Sequence, residues 1–253
     1  MRDFTVAIYR QLLDGLKGAG FSFQTFSDYL KAPLPKTVLL RHDVDDRKLH
    51  SLKFAQIQKE KDIVGTYYFR MVPQSYDEGV IREIRDLGHE IGYHYEEMDF
   101  AAGDPKKAIG IFERNLEQLR KLAPITSICM HGSPRSRYDN KDLWKHYRYR
   151  DYGIIGEPYF DLDFKSIFYL TDTGRRWDGK AVSVRDKVEG NGGPVFHSTG
   201  EIIKGVSGKD FPSRVMINFH PQRWTDDPNL WLREKYTQQA KNMVKYLLIK
   251  WKQ

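Results

Sequence analysis

Disulfides, membrane-spanning helices and repeats are what this sequence does without. A single cysteine, Cys129, excludes an internal disulfide framework. No stretch approaches the roughly 20 consecutive apolar residues that a membrane helix needs. The first segment, MRDFTVAIYRQLLDGLKGAG, carries charges throughout and lacks the apolar core of a secretory signal. Together these absences lead to the expectation of a soluble, cytoplasmic protein. Nothing divides the chain into parts, and 253 residues suit one α/β barrel domain spanning 1–253. Acidic residues are in deficit, with 34 Asp+Glu against 41 Lys+Arg. That balance suits an anionic partner. Hydrophobic residues make up 40% of the chain, enough to bury a core and to exclude disorder.

What is present alternates between helical and extended patterns. Phe4, Ile8, Leu12 and Leu16 recur at helical spacing, with Gly18 and Gly20 as a stop. Thr37–Leu40 is a short apolar strand ending at Arg41-His42-Asp43. A helix marked by Leu49, Leu52 and Ile57 precedes the β-rich Gly65–Phe69. A helix over Val80, Ile84 and Leu87 closes at Gly88 before a strand Glu90–His94. Asp104-Pro105 opens the next helix as cap and first residue. Strands follow at Ile125–Met130, Ile154-Ile155, Ile167–Leu170 and Val215–Phe219. From about Leu230 an amphipathic helix sets Tyr236, Ala240, Met243, Leu247 and Trp251 on one face. Such alternation predicts an α/β fold with a largely parallel sheet.

Polar groups able to do chemistry stand where these strands end: Asp43 and Asp45, His94, His131, Asp172 and His220. In parallel barrels the catalytic residues come from the C-terminal ends of several strands. Residues two apart in an extended chain point the same way, so Asp43 and Asp45 converge, and a metal would relieve their repulsion. Alternatively Asp45 or Asp46 simply caps the following helix. His42 points away from Asp43. His50, His89, His146 and His197 read as structural or surface residues, and Cys129 as an inert core residue. The run Pro134 to Tyr152, PRSRYDNKDLWKHYRYRDY, interleaves cations with aromatics. It reads either as a solvated helix with a few buried aromatics or as a surface for sugars, phosphates or single-stranded nucleic acid.

The segments RHDVDD, GTYYF, GHEIGYHYE, HGSP and INFHP, from about Val38 to Pro221, resemble the polysaccharide deacetylases. These have the NodB-homology fold of carbohydrate esterase family 4, and the D-x-D spacing is similar to one branch of that family. The resemblance implies a distorted (β/α) barrel of about seven strands. It implies a divalent metal, zinc first and cobalt, nickel, manganese or iron otherwise. It implies Asp43 as catalytic base, Asp45 and His94 as metal ligands, and His220 as catalytic acid. Asp172, with Trp177 nearby, is similar to the family's Asp/Trp motif that orients that acid.

One departure stands out. Where the family places a second metal histidine, four residues after the first, this chain has Met98, which is no such ligand. His131 from the next strand end, or Glu97 or Glu96 from the turn, completes the site, or the metal is lost. HGSP also stands where the family has an Arg-x-Pro segment touching the base. The implied activity is hydrolytic removal of an N-acetyl or related acyl group from a sugar or a surface-polysaccharide precursor. The rivals are a degenerate member that binds carbohydrate without hydrolysis and, from charge alone, a nucleic-acid-binding protein.

Overall fold

The computed structural model describes residues 2–133, 136–178, 188 and 193–251. The elements run α1 (Val6–Gly18), β1 (Ser22–Gln24), α2 (Phe26–Lys31), β2 (Thr37–Val44), α3 (Lys48–Glu60) and β3 (Thr66–Phe69). They continue as α4 (Glu78–Asp86), β4 (Glu90–Tyr95), α5 (Glu97–Phe100), α6 (Pro105–Arg120) and β5 (Ile128–Met130). Then come α7 (Pro158–Asp161), β6 (Phe168–Thr171), α8 (Thr199–Gly205), β7 (Arg214–Phe219) and α9 (Pro228–Trp251). The strands form one parallel sheet in the order β5-β4-β3-β2-β7-β6, with β1 beside the first half of β2. β5 and β6 are its edges, so the expected distorted barrel is a curled, open half-barrel.

Alternation along the strands sorts side chains to two faces. Val38, Leu40 and Val44 of β2 face outward with Tyr67, Ile91, Ile217 and Phe219, under Tyr9 and Leu12 of α1, Phe54 of α3 and Phe112 of α6. The inner face carries Arg41 and Asp43 of β2, level with Asn218 of β7 and Tyr68 of β3. Gly92 and His94 of β4 continue it to Cys129 of β5. An apolar plug of Phe26, Leu39, Phe164 and Met216 fills the other end of that face. His42 points outward as expected. It is stacked on Tyr67 at 4.0 Å, and burial pushes its pKa down to about 3.

Several boundaries differ from the sequence reading. β2 runs from Thr37 to Val44, one residue past the expected end at Arg41-His42-Asp43. β5 starts at Ile128, because only from there does the ladder to β4 form. Ile154-Ile155 is no strand; beside it lies one isolated bridge, Ser127 to Gly156. β1 and α2 had no periodic signature. Neither Asp45 nor Asp46 caps α3, which begins after Arg47 in the left-handed region with no side-chain cap. The Pro134 to Tyr152 run forms 3-10 turns over Asn140–Lys145 and Tyr149–Tyr152, not an α-helix. Its Trp144 rests against Tyr95 and Phe112. Pro134 and Arg135, and the side chains of Leu247 and Trp251, lie outside the described residues. Among the described residues no helix is long and apolar enough to cross a membrane.

Candidate active site

The C-terminal ends of β2, β4, β5 and β7 bring Asp43, Asp45, His94, His131 and His220 to one mouth, and β6 places Asp172 behind His220. Asp45 is at the centre. Its Oδ1 lies 3.5 Å from His94 Nε2 and 3.7 Å from His131 Nε2, and its Oδ2 lies 3.8 Å from His220 Nε2. Each of the three imidazoles has its other nitrogen engaged. His94 Nδ1 donates to the Cys129 carbonyl at 2.8 Å. His220 Nδ1 donates to Asp172 Oδ1 at 2.6 Å. His131 Nδ1 stands 3.0 Å from Glu96 Oε2, imperfectly aligned. A neutral imidazole has one N–H and one lone pair. With Nδ1 carrying the hydrogen, three Nε2 lone pairs face the Asp45 carboxylate. Asp45 Oδ1 is buried and accepts no hydrogen bond. Lone pairs gathered around an anion call for a donor or a cation among them: water, protons or a metal ion. Burial opposes charge on Asp45, but the surrounding histidines hold its pKa well below the ordinary value.

Asp43 sits differently. Arg41, two residues earlier on the same face, clasps it with Nε to Oδ1 at 2.8 Å and Nη2 to Oδ2 at 2.7 Å. Asn218 Nδ2 donates to Oδ2 at 3.0 Å. Burial works against the carboxylate, yet Arg41, His94 and His220 bring its pKa down to about 2. The arginine that fixes this carboxylate thus comes from the same strand, two residues away.

Asp172 is fully buried and saturated. Its Oδ2 accepts from the His220 backbone N–H at 2.9 Å and from Trp224 Nε1 at 2.7 Å. Arg223 Nη1 adds a bond to Oδ1 at 2.9 Å. Burial resists its charge, and His220 and Arg223 more than offset that, so its pKa is lowered. The tryptophan against it is Trp224, not Trp177, whose Nε1 donates to Thr199.

For the missing ligand the geometry separates the options. Met98 is buried in the apolar core. Glu97 is turned into the outer layer, where Tyr93 Oη and Asn115 Nδ2 donate to it. These partners hold Glu97 away from the mouth, and desolvation there raises its pKa to about 8. Glu96 is paired with Arg70 at 2.7 Å and faces His131 from behind. Burial opposes its charge, but His131 and Arg70 lower its pKa to about 2. His131 alone of these brings a lone pair to Asp45. Burial disfavours a charged His131, yet Glu96 and Asp45 leave its pKa raised.

Cys129 is not remote from the site. Its sulfur, an Asp43 oxygen and a His94 nitrogen lie within 4.8 Å of one another, a possible metal trio. Asp43 already accepts three hydrogen bonds from Arg41 and Asn218, however, whereas Asp45 Oδ1 has no donor. Asp45, with His94 and His131 nitrogens 3.5 and 3.7 Å from its free Oδ1, offers a second set of mixed oxygen and imidazole donors of the kind a divalent ion takes. Arg41, Asn218, Arg70, Arg223 and Trp224 were given no role from the sequence. A period of two from Asp43 and from His220 picks out Arg41 and Asn218. Nothing local marks the others.

No protein-family model matches the chain, and no curated protein matches it. Solved structures do resemble it in fold. A family 4 carbohydrate esterase from Bacillus anthracis matches with a TM-score of 0.44 and 14% identity over 97% of this chain and 91% of that one. A CE4 esterase from Streptococcus mutans matches at 0.45 and 13%, over 90% of each chain. A CE4 family pseudoenzyme from Bacillus anthracis matches at 0.45 and 11%, over 85% of this chain and 63% of that one.

Proposed function

We propose that this chain is a metal-dependent hydrolase that removes an N-acetyl or related acyl group from a carbohydrate or a surface-polysaccharide precursor, acting as one catalytic domain. The observation that carries the reading is the set of imidazoles whose Nε2 lone pairs converge on Asp45. A metal-binding histidine characteristically donates its other ring nitrogen to a carbonyl or carboxylate, and His94 does so to Cys129. Asp45, His94 and His131 would hold the ion. When bound, it polarises the acyl carbonyl and acidifies water, with zinc the first choice.

The chain's own groups divide the proton work. Asp43 stays ionised, with Arg41 and Asn218 fixing its orientation, and acts as the base that receives the proton of the attacking water. His220 takes up a proton on Nε2 from solvent and delivers it to the leaving amine, without which C–N cleavage stalls, and Asp43 returns the water's proton to solvent afterwards. Asp172 holds the His220 ring by its Nδ1–H and stabilises the imidazolium that forms before delivery. Trp224 and Arg223 keep Asp172 in place. A basic chain of net charge +7 suits an anionic or phosphate-bearing sugar.

The test is metal analysis of the purified chain alongside acetate release from N-acetylated chito-oligosaccharides. One ion per chain, lost in Asp45→Ala, with turnover lost in His220→Ala while metal is retained, supports the reading. Protein that retains no metal after loading overturns it. The absence of the family's second histidine at Met98 favours a second reading, carbohydrate binding without hydrolysis. Oligosaccharide bound by metal-loaded protein with no acetate released would select it.

A further inference from the structure

The last helix turns its apolar side away from the molecule. α9 is held down along one stripe, Trp231, Glu234, Gln238 and Asn242, residues three or four apart. Trp231 Nε1 donates to the Asp3 carbonyl at 2.7 Å, and the Arg175 guanidinium lies 4.6 Å above its ring. Arg47 pairs with Glu234 at 2.7 Å, and Asn242 donates to the Gly174 carbonyl at 2.8 Å. Gln238 is buried. The opposite stripe is Leu232, Tyr236, Ala240, Met243 and Val244, again at helical spacing. It is exposed, with Tyr236 at 64%, Met243 at 68% and Val244 at 56%. In α1 and α6 the apolar residues face inward. In α9 that order is inverted. A contiguous apolar stripe in water marks a surface that something else covers.

Charge selects what covers it. From Lys235 to Gln253 the sequence has five lysines and no aspartate or glutamate. A second copy of the helix laid on this stripe would bring like charges together. An anionic surface is complementary instead. The helix is not apolar enough to cross a bilayer. A basic helix with one apolar stripe lies flat in the headgroup region, with its lysines among anionic lipids.

We infer that α9 docks the protein on an anionic lipid surface through Leu232, Tyr236, Ala240, Met243 and Val244. The helix is anchored to Arg47, which follows β2, and to Gly174, which follows β6. Both anchors lie at the strand ends that carry Asp45 and Asp172, so docking places the candidate active site beside the lipid. The inference stands on the helix and does not depend on the proposed reaction.

The test is co-flotation of the full chain with vesicles of phosphatidylcholine alone and of phosphatidylcholine mixed with phosphatidylglycerol. The chain is expected to float with the mixed vesicles only, and less so as salt rises. The double variant Tyr236→Ser, Met243→Ser changes two exposed side chains without changing charge. It is expected to lose binding about tenfold, and Lys241→Gln to lose a smaller part. Circular dichroism confirms that the variants fold. A parent chain that stays with the soluble fraction, or a double variant that floats as well as the parent, overturns the inference. So does a concentration-dependent dimer that the double variant abolishes without any lipid binding, which assigns the stripe to a second copy.

Discussion

Arg41 and Asp43 depend on each other. Their side chains are 2% and 5% exposed, and an unpaired charge at such depth is costly. Asp43→Asn preserves shape but leaves the guanidinium uncompensated. The metal-stripped variant is expected to lose about 3–5 kcal/mol in urea unfolding. A loss below about 1 kcal/mol would show that water screens the pair. The base assignment must therefore be judged on folded variant, by metal retention against turnover. The third ligand gives a cleaner contrast. His131→Ala and Glu96→Gln are each expected to weaken metal binding at least about tenfold, the second because Glu96 orients the imidazole. Glu97→Gln is expected to leave the titration unchanged, since Glu97 meets Tyr93 and Asn115 instead. Equal weakening in all three would sink the assignment of His131. The residues at the mouth were legible because each ends a strand. Their partners were less so. Trp224 reaches Asp172 only through the turn after His220, whereas Trp177 is nearer to Asp172 in sequence and makes no bond to it.

At the scale of elements, β4 shows why a motif has the residues it has. A side chain at Gly92 would place Cβ 2.4 Å from the Tyr68 ring and 3.1 Å from Ser127 Oγ. The glycine lets the Tyr68 ring lie against the β4 backbone on the inner face. Gly92→Ala is expected to destabilise by about 1–3 kcal/mol, as overpacked cores do, and to push Tyr68 toward the site. Thermal unfolding together with metal titration checks both parts. An alanine variant as stable as the parent would mean that the ring moves freely. Strong periodicity made α1, α4, α6 and the central strands readable. β1 and α2 were not, because three- and six-residue elements give a period too few repeats to show. α9 was readable as an amphipathic helix, but that the body takes its polar stripe was not. Sequence pattern reports that a face is apolar and is silent on which neighbour covers it.

Over the whole molecule, buried acids set how stability changes with pH. Glu96 and Asp43 have folded pKa values brought down to about 2, below their ordinary values. Their contribution is present above about pH 4 and is lost as pH falls through about 2. Glu97 and Glu157 are the reverse. Burial raises them from 4.5 to about 8 and about 7. The folded chain then binds more protons than the unfolded chain between those values and 4.5, so stability is full below pH 4.5 and is lost as pH rises through about 7 to 8. His131, with its raised pKa, adds to the loss on that limb. Metal-stripped protein is therefore expected to be most stable in mildly acidic solution and to weaken toward pH 9. Glu97→Gln isolates one part of the slope. The amide cannot ionise, so the variant avoids the cost of charging a carboxylate among Tyr93, Asn115 and the outer core. At pH 9 it is expected to be more stable than the parent by on the order of a few kcal/mol, and at pH 5 to be close to it. Urea midpoints measured across that range decide the matter. Parallel curves for parent and variant would mean that Glu97 is ionised in the folded chain, with water reaching it beneath α6.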